Sequence, residues 1–246
     1  MIEMEVCANS VSSALEAQLG GAKRVELCAS LTEGGTTPSY AEIKLAKKIL
    51  TLEVFPIIRP RGGDFLYSAL EFELMKEDIK ICKALQCDGI VTGILTAEGK
   101  IDKERCAELI ELAKPMKVAF HRAFDMVVNM EEALEDLISI GVIRVLTSGG
   151  KATALDGAEQ LARLIKQAAG RITVMPGAGV SSSTIRQLIL KTGAKEFHAS
   201  ARKNHASKML FRNSELSMGN DADEYSSSFT DAELVKNLLE LANSAE

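Results

Sequence analysis

The chain has 246 residues and a formal net charge of −5, with 46% hydrophobic and 26% charged residues, which is ordinary for a globular domain with a sizeable core. The acidic charge is dispersed and no basic cluster stands out, which argues against a nucleic-acid surface. No apolar run approaches the ~20 residues of a membrane span.

The opening MIEMEVCANS lacks the basic and apolar regions of a secretory signal. Five cysteines without framework spacing point to reduced thiols and a cytoplasmic protein. Eight short runs rich in Val, Ile and Phe predict strands at 2–7, 24–28, 54–59, 89–92, 117–121, 143–147, 172–175 and 196–199. Segments of helical period lie between them. Ser39/Glu42, Ser68/Glu71 and Thr230/Glu233 have capping-box spacing, and Asp102 and Asn129 are N-cap candidates. Gly20-Gly21 and Gly141 read as helix stops.

Eight β-then-α units predict an α/β fold, a (β/α)8 TIM barrel in a single domain over 1–246. An open, doubly wound sheet would show the same alternation. The stretch 200–229 breaks the rhythm and reads as an irregular segment that covers the barrel mouth or contacts another subunit.

Strand side chains alternate between faces, and the apolar face packs under the helices. That rule turns Glu5 and Cys7, Arg24, Glu26 and Cys28, Arg59, Thr92, His121, Thr147, and Glu196 and His198 into the barrel. A plain barrel core would carry Val, Ile and Leu there, and buried charge is costly unless paired. Glu5, Glu26, Arg59, His121, Asp125 and His198 are therefore candidate catalytic groups if the chain is an enzyme. An ion-pair network of Glu5 or Glu26 with Arg59 is the purely structural reading. Arg61 and Arg122 could grip an anion, as could the PGAGVSSSTI loop through Gly177, Gly179 and Ser181. A tight turn capped by Ser181 is the plain reading of that loop.

The stretches MEVCANS, GAKRVELCASLTEGGTTPS, FPIIRPRGGDFLYS, FHRAFDM, RVLTSGG, VMPGAGV, EFHASAR and FRNSELSMG span about residues 4 to 230. In them the chain resembles the copper homeostasis protein CutC family, its eukaryotic members more closely than the bacterial ones. The resemblance implies a TIM barrel, a cytoplasmic protein associated with copper handling, and a homo-oligomer, dimer or tetramer. It also implies Cu(I) as the bound ion, at the two positions that match Cys7 and Cys28.

Taken as residues alone, Cys7 and Cys28 leave two readings open. They lie on neighbouring strands, so in register their Cα atoms would sit near the ~4.8 Å interstrand spacing, where two thiolates suit a soft ion. They could equally be small packing groups. No third ligand is evident, since the histidines are on strands distant in sequence. Cys82, Cys87 and Cys106 fall in helices or at their ends and read as packing. The alternative function is a lyase or isomerase acting on a small anionic or phosphorylated metabolite, because a copper clip does not account for Arg59, His121 and His198.

Overall fold

A computed structural model describes residues 1–213, 215, 216 and 223–244. Among them, eight parallel strands alternate with helices. The strands are β1 (Glu3–Ala8), β2 (Arg24–Leu27), β3 (Glu53–Pro56), β4 (Gly89–Thr92), β5 (Lys117–Phe120), β6 (Arg144–Thr147), β7 (Thr173–Pro176) and β8 (Glu196–Ala199). The helices between and after them are α1 (Val11–Leu19), α2 (Tyr40–Ile49), α3 (Ala69–Ala84), α4 (Lys103–Ala113), α5 (Met130–Ser139), α6 (Ala158–Ala168), α7 (Ile185–Thr192) and α8 (Ala232–Asn243). The expected strands are met within one or two residues, apart from the third, whose ladder ends at Pro56.

The strands form two hydrogen-bonded sets, β3-β2-β1-β8 and β4-β5-β6-β7. Ile57 and Val91 bridge one seam between the sets. At the other seam Gly177, just past β7, sits against His198 of β8; a Cβ added to it would lie 3.2 Å from the His198 Cβ. The first and last strands pair directly, Glu5 opposite His198, so the sheet closes. The (β/α)8 barrel is the fold.

Local chemistry starts the helices where it was expected to. Ser39 and Ser68 form reciprocal capping boxes with Glu42 and Glu71. The side chains of Asp102 and Asn129 accept from backbone N–H groups of the first turns of α4 and α5. The last helix departs by one residue: Asp231, not Thr230, is its cap and accepts from the Leu234 N–H. The stretch read as irregular contains two strands, β9 (Arg202–Ala206) and β10 (Ser226–Thr230), paired antiparallel. Positions 214 and 217–222 of that stretch lie outside the described residues. No helix among the described residues is long and apolar enough to cross a membrane.

The main core lies between strands and helices and includes Met4, Val6, Val25, Val54, Ile90, Val145 and Phe197. A second, smaller cluster fills the barrel interior: Cys28, Phe55, Ile57, Val91 and Ala119. Val91 therefore takes the inward place on β4, and Thr92, expected inward, instead donates to the Ile58 carbonyl across the seam. On β6 the inward side chains are Arg144 and Leu146. Thr147, expected there, bonds the Asp125 carboxylate.

Phe55 packs near two guanidinium groups, with Arg24 and Arg144 at 5.5 and 5.8 Å from its ring centroid. Gly89 makes room for that ring, since a Cβ there would stand 2.2 Å from a Phe55 ring carbon. Gly89→Ala should cost about 1–3 kcal/mol by overpacking. Urea unfolding would show it, and Phe55→Leu in the same chain should recover part of the loss.

Candidate functional site

The site grows from a chain of buried charge along the inside of the barrel. Arg24 is 1% exposed. Its Nε donates to Glu5, and its Nη2 donates to Glu196 at 2.7 Å. Arg144 donates to the same Glu196 oxygen at 2.7 Å. The other oxygen of Glu5 meets His198 Nδ1 at 2.8 Å, and His198 Nε2 lies 3.7 Å from Glu26. Burial alone would raise the Glu5 pKa, but the His198 hydrogen bond and the Arg24 and Arg144 charges hold it down at about 2. Glu26 goes the other way: burial and the nearby Glu5 charge raise it despite His198. Burial disfavours a charged His198, yet its contacts with Cys7, Glu5 and Glu26 raise its pKa well above the usual value.

Arg24 is the keystone of this chain. Arg24→Met leaves Glu5 and Glu196 without their shared cation and should cost about 3–5 kcal/mol. Arg171→Met, which breaks an exposed pair with Glu135, should cost less than about 1 kcal/mol. Denaturant melts of the two variants side by side check the contrast.

Above the charges lie the thiols. Cys7 Sγ and Cys28 Sγ are 3.6 Å apart, and both cysteines are free. They are not side by side in register. Cys7 stands opposite Glu26, and Cys28 follows two residues further along. The stagger that closing a barrel requires produces this offset, and the side chains converge diagonally across it. One donor atom each from Cys7, Glu26 and His198 falls within 4.8 Å of the others. Barrel closure thus brings His198 of β8 beside Cys7 of β1, a proximity that the sequence did not reveal. The thiol–thiol hydrogen bond and burial push the Cys7 pKa well up.

Cys7, Glu26 and His198 form one wall of a cavity of about 340 Å³. Arg59, His121, Arg122 and Asp125 line it as well, with Leu31, Ile57, Phe65, Met126 and Leu146 as apolar surface. Arg59 does not pair with Glu5 or Glu26, as the network reading supposed; Arg24 takes Glu5. The Arg59 Nη groups donate instead to the carbonyls of Glu33, Gly35 and Gly63 at 2.7–2.8 Å. His121 Nδ1 accepts the Ala123 N–H, and the ring packs 4.9 Å from Phe65. Asp125 is spoken for: it accepts from Arg122, Thr147 and the N–H groups of Ser148 and Gly150.

The remaining candidates sit apart from the cavity. Arg61 pairs with Asp64 and Glu71 and ties down its own loop. Gly177 and Ser181 have spent their N–H groups on the Thr147 carbonyl and on Thr184 Oγ1. Gly179 lies against Thr153. The cap of α7 is Thr184, with no side-chain bond, so Ser181 does not cap it. Arg144 was missed by sequence reading, although it shares the inward face of β6 with Leu146.

Residues 2–203 match the CutC family. The chain belongs to that family. It is 51% identical over 243 residues to a CutC-family protein of Chromobacterium violaceum, covering 98% of each chain. It is 49% identical over 241 residues to the human copper homeostasis protein cutC homolog, covering 97% of this chain and 88% of that one. Among solved structures, a CutC from Streptococcus agalactiae superposes with a TM-score of 0.78 at 34% identity, covering 81% of this chain and 99% of that one. A phosphoribosylanthranilate isomerase of Thermotoga maritima, 13% identical with a TM-score of 0.59, shares the fold alone.

Burial and the Arg59 charge depress the His121 pKa to about 3, from an ordinary 6.5. Between those values the unfolded chain binds a proton that the folded chain does not, so stability falls as pH falls through that window. His121→Gln should flatten the fall by up to ~1.4 kcal/mol per pH unit, read from urea melts between about pH 7 and 4.5. Identical slopes would mean that His121 titrates freely in the fold.

Proposed function

We propose that this chain serves copper homeostasis by holding Cu(I) as cargo on the Cys7–Cys28 pair, with His198 as the third donor. The observation that carries the reading is the 3.6 Å approach of two reduced thiols inside the barrel, with the His198 ring beside Cys7. The donor set fits the ion. Thiolate is the ligand type that Cu(I) prefers, imidazole suits copper, and the carboxylate of Glu26 is harder and better left as a neighbour. Glu5 holds His198 through Nδ1 and leaves Nε2 on the side of Glu26. Fixing a ligand histidine through its other nitrogen is a usual device of metal sites. The names carried by the human and mouse relatives support copper handling.

The reading includes a reducing compartment, the cytoplasm, because the pair can bind only while both thiols are reduced. It also includes a homo-oligomer, dimer or tetramer, as the family resemblance implies.

The test is competition for Cu(I) against a chromophoric chelator under reducing conditions. One ion should bind per chain. Cys7→Ser with Cys28→Ser should weaken binding by more than the ~10–100-fold that loss of an outer partner costs, and His198→Asn should weaken it less. An unchanged affinity in the double variant overturns the assignment.

A further inference from the structure

Holding copper uses one wall of the cavity and leaves the opposite chemistry idle. Arg59 is 4% exposed, and its Nε finds no partner in the protein. None of the carboxylates that line the same cavity or stand behind it pairs with Arg59: Glu5 is engaged by Arg24 and His198, Asp125 by Arg122 and Thr147, and Glu26 faces His198 at 3.7 Å. Carbonyl groups hold the Arg59 fork in place, but they do not neutralise its charge. His121 is also 4% exposed. Because its Nδ1 accepts a backbone N–H, the proton of the neutral ring is on Nε2, and Nε2 too has no partner. The Arg59 guanidinium and the His121 ring lie 5.0 and 4.9 Å from the Phe65 ring centroid, and all three residues line the one cavity. A third buried atom on the cavity-lining residues, Glu26 Oε1, is an acceptor without a donor.

Leaving buried donors and a buried cation unmatched costs free energy that a ligand would recover. We propose that Arg59 and His121 form a binding site for a small hydroxycarboxylate, whose carboxylate takes the Arg59 Nε–H and His121 Nε2–H and whose hydroxyl meets Glu26 Oε1. Two free donors match the two oxygens of a carboxylate. A phosphate would call for more, and the glycine loop after β7, the usual phosphate grip of such barrels, has its Gly177 and Ser181 N–H groups in use. The apolar wall of Leu31, Ile57, Phe65 and Leu146 asks for a carbon body rather than a bare inorganic ion. A volume of about 340 Å³ is at the small end of ligand sites and sets the size of the molecule.

The test uses the full chain, metal-free and reduced, with the 15Nε2 resonance of His121 as the readout. Acetate and D-glycerate should each shift it saturably. Glycerate should bind about fivefold tighter, as one added hydrogen bond allows, and glycerol should do nothing. Arg59→Lys should weaken glycerate by about tenfold or more, because lysine is a point charge without the fork. If that variant fails to fold, His121→Phe followed by calorimetry should abolish glycerate binding. No saturable shift with either carboxylate, or equal affinity in the variants, overturns the site. Orthophosphate binding tighter than glycerate overturns the carboxylate class. The glycerate titration is run without metal and the Cu(I) competition without glycerate, so failure of the copper reading and failure of this one are distinguishable.

Discussion

The ion pair between Arg24 and Glu5 governs much of the interior. A guanidinium 1% exposed cannot persist in a barrel without full compensation, and here Glu5 and Glu196 share it, with Glu53 3.5 Å away. Once Glu5 is anchored by Arg24 through one oxygen, its other oxygen is directed at His198 Nδ1. The imidazole then has one orientation, with Nε2 toward Glu26 and the thiols. The position of a soft donor set at the top of the strands is thus fixed by hard charges lower in the same barrel. Arg144 strengthens the arrangement by holding Glu196 from the far side of the lumen.

The cavity above divides into two chemistries. One wall carries sulfur and imidazole. The other carries a cation held by backbone carbonyls and a neutral histidine whose charge has been suppressed by burial and by that cation. The two histidines show how environment sets role: His198 sits among carboxylates and is pushed toward its charged form, while His121 sits beside Arg59 and is kept neutral. One side chain type therefore supplies both a positive partner and an uncharged donor within a single hollow.

Much of this was legible in the sequence, and what was not has a definite cause. Strands with apolar residues on one face and Glu5, Arg24, Glu26, Arg59 or His198 on the other declare themselves by alternation. Alternation names a face but gives neither register nor neighbours. The two-residue stagger that sets Cys7 against Glu26, and the closure that sets β8 beside β1, are properties of the whole sheet. His198 is consequently remote from Cys7 in sequence although it is its neighbour in the barrel. Polarity alone does not mark an inward residue: Thr92 and Thr147 are polar, yet Val91 and Leu146 take the inward places. The strands RKNHA and SSSFT carry too little apolar character to announce a pairing that hydrogen bonds alone define.

Phe55, Arg24 and Arg144 pack together and are all buried, so the lumen at their level is filled, a cup rather than a tube. Whatever enters leaves by the same door, past the loops that carry Arg59, Phe65 and Arg122. An ion seated at Cys7 and a molecule held at Arg59 would share the one cavity. Order of arrival then matters: a late organic guest would trap an ion already in place, and an early one would bar its way.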